Sequence, residues 1–410
     1  MKKGLIKLLL FRVNKNQKIF FNFICWVFSK WFKNLRCGHL TLVHPSGYNQ
    51  QFEGREPGPT ATIQISDFRL IYRVIMAGDI GFAESYMAGE WKTPDLTAVL
   101  LFAAQNFTGL SKMLAPLGVI TKINRIRHLR RENTPKGSRR NIAAHYDLGN
   151  DFYQYWLDES MTYSSGLFEF MGEPHIVAQH RKYQRLAQML EIKEQDRVLE
   201  IGCGWGGFAE FIAARYGCEV VGVTLSNEQA DFSRERMVAS GLSDKVEIKV
   251  EDYRSIKGQF DKIVSIEMFE AVGEKNWTTY FEILKKRLKM GGRAGLQIIT
   301  MSEEIASSYR ENPDFIQLFV FPGGMLPTPS SIASNAGLSE LKISDTFYFG
   351  KSYAETLRLW NKAFQKNWTR IRRLNFDESF YRMWRYYLCY CEAGFEHGRI
   401  DVGQFLLEHR

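Results

Sequence analysis

The residues of this chain that could do chemistry are a glycine-rich turn and a set of acids placed just beyond strand-like runs. Val198–Gly207 reads VLEIGCGWGG. The run Arg197–Ile201 has the composition of a short buried strand. Gly202, Gly204, Gly206 and Gly207 follow at once, and then come the helix-spaced residues Phe208, Phe211 and Ile212. Strand, glycine turn and helix form the ligand-binding entry of a doubly wound α/β sheet. Glycine lets the backbone turn tightly there and bring its amides against a ligand. Glu251 and Asp252 stand after the run Val246–Val250, and Glu267 and Glu270 after Phe260–Ile266. Carboxyl ends of parallel strands form the ligand crevice of such sheets. Asp252, with Glu251 as its rival, is therefore placed to accept adenine amino hydrogens, and at least one of Glu267 and Glu270 is expected to face the crevice. Gln297 lies in the next strand-like run, Arg293–Thr300.

Gly202, Gly204 and Gly207 also satisfy G-x-G-x-x-G, the dinucleotide fingerprint. Two features oppose that reading. Glu200 precedes the first glycine by two, which makes the E-x-G-x-G-x-G pattern of S-adenosylmethionine (SAM) methyltransferases. The second strand, Glu219–Thr224, ends in Thr-Leu-Ser, where a nicotinamide ribose would need an acid. SAM is the expected ligand, and a purely structural turn is the alternative.

The elements that position these residues alternate. Strands are expected at Arg197–Ile201, Glu219–Thr224, Val246–Val250, Phe260–Ile266, Arg293–Thr300 and Leu341–Phe349, with helices at Asn227–Ser240 and Asn276–Met290. The fold class is α/β: a doubly wound, Rossmann-like methyltransferase sheet in residues 133–410, with a smaller N-terminal α/β domain in residues 38–132. In that domain Leu40–His44 and Ala61–Ile65 read as strands, Glu53–Thr60 as a Gly-Pro loop and Phe68–Ala77 as a helix. It offers no nucleophile, metal cluster or acid/base pair, so its expected work is lipid recognition. Residues 125–141, basic with Pro, Gly and Ser, read as an exposed linker. The segments His145–Tyr153 (HYDLGNDFY) and Met161–Ser165 (MTYSS) mix polar and aromatic groups, as a cover over a bound cofactor would.

Composition bounds the partners. The 410 residues include 30 Phe, 18 Tyr and 9 Trp, a surplus that fits a long apolar ligand or an aromatic-rich core. Six Cys without a metal-binding spacing fit free thiols in a reducing cytosol. The net charge of +9 matches the nine cations of residues 1–37, from Lys2 to Arg36, and no acid precedes Glu53. These cations alternate with apolar runs such as Ile19-Phe20-Phe21, which argues against nucleic acid and for a basic amphipathic segment in the interface of an anionic membrane. An ordinary helix packed on its own domain is the alternative. No apolar run has the length of a membrane span, and no cleavage site follows as in a signal peptide. The expected place is the cytoplasm, peripheral at the inner membrane face.

Taken together, the motifs resemble those of cyclopropane-fatty-acyl-phospholipid synthases. They run in one order from GDIGFAESYMAGEW through HYDLGNDFY, MTYSSGLF, LEIGCGWGG, VTLSNEQ, DYR, MFEAVG, FPGGMLP and FGKSYAETL to YLCYCEAGF. The resemblance implies transfer of the SAM methyl to the cis double bond of a phospholipid acyl chain. Loss of a proton from the new methyl then closes a ring; loss of another proton, or a hydride shift, gives a branched or methylene chain. The resemblance also implies bicarbonate as the base, held by a Glu, a His, a Tyr and backbone near two Cys. Carried onto this chain, the Glu is Glu270, the Tyr is Tyr353 and the later Cys is Cys391. Two positions depart: the earlier Cys is Ser165, and the His is Gln297, which cannot carry charge or relay a proton. For the cofactor the resemblance adds Tyr163, Ser164, Thr224, Leu225 and Gln229. It also suggests a homodimer, and no metal is expected.

Overall fold

The computed structural model describes residues 17–107, 110 and 148–410. The linker 125–141, His145–Asp147 and the cations Lys2–Lys15 lie outside the described residues. The chain divides into two units. One holds Met1–Ile126, Asn312–Phe315 and Phe376–His397; the other holds Arg127–Glu311, Ile316–Asn375 and Gly398–Arg410.

The first unit has a four-stranded sheet, ordered β2-β1-β3-β4, from β1 (Cys37–Val43), β2 (Asn49–Glu53), β3 (Glu56–Ile65) and β4 (Trp91–Lys92). Most of the expected loop Glu53–Thr60 is therefore strand. Pro57 and Pro59 are tolerated because β4 pairs only with Gln64 and Ile65, so the start of β3 is an edge on that side. Gly58 is required there, since a Cβ would come within 2.8 Å of the Gly38 nitrogen. The helix expected at Phe68–Ala77 runs on to Met87, with a break at Gly78 (φ 62°). The motif that follows is built into this unit's interior. Trp91 is fully buried, and its indole N–H donates to Ser85 Oγ at 2.9 Å. Glu90, also buried, takes the Arg73 guanidinium at 3.0 Å. The basic N-terminal helix Gln17–Trp31 buries Ile24, Val27 and Phe28. Trp26 stays 46% exposed, with the Lys30 ammonium 5.9 Å from its ring.

The second unit is a seven-stranded sheet in the order β10-β11-β9-β8-β5-β6-β7. Its strands are β5 (Arg197–Ile201), β6 (Glu219–Thr224), β7 (Val246–Val250), β8 (Phe260–Ile266), β9 (Leu288–Met301), β10 (Leu341–Tyr348) and β11 (Ile400–His409). The neighbours from β7 to β9 are parallel, and β11 enters antiparallel between β9 and β10. A strand covered on both faces shows no apolar–polar alternation, and in β5 Val198, Leu199, Glu200 and Ile201 are all buried. Trp277, Tyr280, Phe281 and Leu284 of the helix Trp277–Arg287 pack in one core cluster with Leu296 and Ile298. Leu186 and Leu190 of the helix His175–Leu190 pack in a second with Phe208 and Ile212.

Candidate active site

The glycine turn opens a cavity at the carboxyl ends of β5, β6 and β8. Glu200, Gly202, Gly204 and Gly207 line it from the first strand and its turn, and Thr224, Leu225 and Gln229 from the second. Glu251 and Asp252 line it after β7, Glu267 and Met268 after β8, and Thr162, Tyr163 and Ser164 from the segment before β5. Gly204 has φ +52°, and a Cβ there would meet no protein atom within 4 Å. The backbone is thus bare towards the cavity. Gly202 answers a different need: a Cβ on it would strike the Met268 side chain at 2.7 Å. Gly206 (φ +79°) is not among the lining residues; it caps the helix Gly207–Tyr216 and packs on Ser233 and Met237. The buried Glu200 carboxyl is pushed up to about 8 by burial, against the pull of Lys182. One of its oxygens has no hydrogen-bond partner among the described residues. An open glycine cradle, an acid with one oxygen unpartnered among the described residues and the Thr224–Gln229 turn fit a nucleoside with a charged tail.

Behind this wall the sheet register assembles a second cluster. Gln297 faces Ile266 across β8–β9 and Gln404 across β9–β11. That places the Gln297 side chain beside the first residue after β8, Glu267, whose carboxylate collects three donors. The Ser165 backbone N–H donates to Oε1 at 2.9 Å, Gln297 Nε2 donates to Oε1 at 2.7 Å, and the Tyr353 hydroxyl donates to Oε2 at 2.6 Å. Gln297 is itself fixed, because Gln404 Nε2 donates to its Oε1 at 3.1 Å and Arg185 holds Gln404 at 2.9 Å. Glu267 sits at φ +51°, in the left-handed region that costs a non-glycine residue about 1–2 kcal/mol. Such strain gathers where a side chain must be aimed. Burial raises the Glu267 carboxyl, while the Tyr353 hydrogen bond and the Lys182 charge oppose the rise. Lys182 is fully buried, donates to Ser164 Oγ at 2.7 Å, and is lowered to about 7 by desolvation.

Glu270 accepts the Ile299 N–H at 2.5 Å, and its other oxygen is unpartnered among the described residues. Burial first, and then the Glu267 charge, push it up to about 8, so it holds its proton at neutral pH. Tyr163, which lines the cavity, packs against the buried Tyr153, Trp156 and Trp360, with ring centres 5.3–5.5 Å apart, and Tyr353 lies 6.1 Å from Trp360.

Residues 133–405 match the family model for mycolic acid cyclopropane synthetase. The chain belongs to this family. It is a SAM-dependent methyltransferase. The tuberculostearic acid methyltransferase UfaA1 of Mycobacterium tuberculosis is 41% identical over 347 residues, 82% of this chain and 81% of that protein. The cyclopropane-fatty-acyl-phospholipid synthase of Escherichia coli is 36% identical over 348 residues, 84% and 87% of the two chains. Among solved structures, the mycolic acid cyclopropane synthase CmaA1 complexed with SAH and CTAB matches with a TM-score of 0.62 at 29% identity. That match covers 66% of this chain and 97% of that one.

Within the methyltransferase, the residues expected around the cofactor share one cavity apart from Gly206, and Gly207 stands there in its place. Asp252 and Glu251 both line it, with Asp252 held by Arg254 at 2.6 Å. Ser165, Gln297 and Tyr353 are brought together, but around Glu267. Bicarbonate therefore does not fit as the resemblance implied: the donors assigned to it already serve a carboxylate of the chain. Cys391 belongs to the first unit, on the helix Glu378–His397, its thiol raised by burial and by Asp314. Glu267, Lys182 and Gln404 carry much of this site. Only Glu267 had a signal in the sequence, its place at a strand end. The other two are placed by a helix face and by a strand with no motif of its own.

Proposed function

We propose that this methyltransferase acts on the cis double bond of unsaturated acyl chains esterified in phospholipids, and that its product is a methyl-branched chain. The observation that carries the reading is the joining of a SAM-type cavity, through Glu267, to a buried polar cluster walled by aromatic rings. SAM supplies an electrophilic methyl, and the alkene's π pair forms the new carbon–carbon bond while the sulfur keeps its bonding pair. An alkene is a poor nucleophile, so the gain must come from holding it close and in line with water excluded. A carbocation forms on the neighbouring carbon, where the faces of Tyr163, Tyr353 and Trp360 offer cation–π stabilisation. It is discharged by loss of a proton.

Which proton leaves decides the product. Loss from the new methyl closes the cyclopropane that the motif resemblance suggests. Loss from the adjacent chain carbon leaves the methyl whole beside a new double bond. The branched product is favoured by the 41% identity to a tuberculostearic acid methyltransferase and by Gln297. No helix among the described residues is long and apolar enough to cross a membrane. Access to the lipid is assigned to contact at the inner membrane face, supported by Trp26, Lys30 and the cations that precede them.

Expression in a bacterial host lacking its own acyl-chain methylating enzyme, followed by mass spectrometry of the membrane fatty acids, tests the reading. Methyl-branched unsaturated chains support it. Ring-bearing chains would restore the cyclopropane product, and an unchanged profile would remove acyl methylation altogether.

A further inference from the structure

Glu267 is placed as a reagent would be. It is a cavity-lining residue, yet its carboxylate turns back to receive the Ser165 N–H, the Gln297 amide and the Tyr353 hydroxyl. Those are three of the five positions that the family resemblance assigns to an external anion, Glu270 and Cys391 being the others. A free bicarbonate and the Glu267 carboxylate present the same planar pair of oxygens, so one seat with three donors holds one of them. The backbone pays for this arrangement with a left-handed residue at the strand end. The neighbouring Glu270, protonated and bonded to the Ile299 amide, adds no second negative charge to the seat.

We infer that the Glu267 carboxylate takes the place of the external anion and is the base of the reaction, so that the enzyme needs no bicarbonate. The inference rests on the acyl-methylation reading above. In the step, Glu267 takes one proton from the chain carbon next to the cation. The carbon–hydrogen pair becomes the new double bond, and the proton passes to water when the product leaves. The sulfonium charge of SAM is discharged as S-adenosylhomocysteine, and no oxidant or reductant is required. Tyr353, Gln297 and the Ser165 amide are positioning groups: they fix the carboxylate and moderate its basicity.

The test is a pair of measurements on the full chain and on Glu267→Gly. Glycine adopts φ +51° without strain, so this substitution opens the seat while easing the backbone. The first measurement follows ¹³C-bicarbonate binding by NMR, which needs no lipid turnover. Glu267→Gly is expected to bind the anion and the unaltered chain is not. The second follows methyl transfer to unsaturated phospholipid vesicles in bicarbonate-free buffer and after bicarbonate is added back. The unaltered enzyme is expected to work equally in both. Glu267→Gly should lose about 10²–10⁴-fold and recover about tenfold or more with bicarbonate, the scale of a positioned base. Glu267→Gln fills the seat with an amide, so it should be inactive and not rescued. Bicarbonate binding or dependence in the unaltered chain would overturn the inference, as would full activity of Glu267→Gly without added anion. Failure of the acyl-methylation reading looks different: the NMR contrast stands, but no variant and no buffer yields methylated lipid.

Discussion

Gln297 and Glu267 are joined twice: the Glu267 backbone N–H donates to the Gln297 carbonyl at 2.8 Å, and Gln297 Nε2 donates to the Glu267 carboxylate at 2.7 Å. The backbone link is the extension of the β8–β9 ladder by one residue, and the side-chain link follows from it. Replacement by Leu would leave Glu267 with two donors and take from the Gln404 amide one of its two acceptors, the Lys182 carbonyl at 3.3 Å remaining, at a stability cost of about 1–3 kcal/mol. Each lost donor raises a carboxylate's pKa. The acidic limb of kcat/KM is therefore expected to move to higher pH in Gln297→Leu, with SAM affinity unchanged. Lys182, Tyr353, Glu270 and Glu200 face the same region and stay in place as the reference. An unshifted profile would show that Gln297 does not act through Glu267.

Glu270 gives a prediction opposite to its reading from the motif. As the anchor of a basic anion, its replacement by Gln would cost orders of magnitude in turnover. Buried and protonated at neutral pH, it is already close to Gln in charge and shape. Glu270→Gln is expected to keep kcat within a few-fold at pH 7. The stability linkage has a definite sign, because a raised carboxyl binds more protons in the folded state than in the unfolded one. Its contribution is present below about 4.5 and is lost as pH rises through about 8. The melting temperature of Glu270→Gln should therefore gain on the unaltered chain as pH rises across that window. A difference that does not vary with pH would place the charge elsewhere.

Gly204 is the position where the cofactor reading is most exposed. Its added Cβ meets no protein atom, so Gly204→Val directs a branched side chain into the cavity rather than into the core. Positive φ adds about 1–2 kcal/mol of strain. Calorimetry should show SAM binding abolished while circular dichroism keeps the folded spectrum. Normal SAM binding by this variant would reduce the loop to a structural turn.

Much of this was legible because local signals were strong. The sheet from β5 to β9 announced itself through short β-branched runs, alternating with charge in β7, and the glycine turn through spacing alone. Glu267 was visible as an acid at a strand end, but its donors come from three separate stretches, around Ser165, Gln297 and Tyr353, and a fourth, around Gln404, holds Gln297. Only the register of β8, β9 and β11 connects Gln404 to the rest. Strand β11 carries no alternation because both of its faces are covered: Val402 to Leu407 are all buried. The membership of Phe376–His397 in the first unit has no local signature either, because a helix's sequence shows which face is apolar but not what will cover it.

The basic N-terminus supplies a prediction about membranes. Ile24, Val27 and Phe28 belong to the first unit's interior, so removal of residues 1–37 would damage the unit itself. Removal of residues 1–16 together with Lys30→Glu and Lys33→Glu leaves those side chains in place. Sedimentation with anionic vesicles should fall, SAM affinity should hold, and binding by the unaltered chain should weaken with salt. Equal binding to neutral and anionic vesicles would contradict the electrostatic account.

The most direct measurement uses SAM carrying a fully deuterated methyl, unsaturated phospholipid vesicles and bicarbonate-free buffer, with the released fatty acids read by mass spectrometry. The account predicts chains that keep all three deuterons on an intact methyl branch, beside a double bond moved along the chain. Chains that keep only two deuterons, in a ring, would contradict the assignment of the proton that Glu267 removes. No transfer of label to the acyl chains would contradict the proposed reaction as a whole.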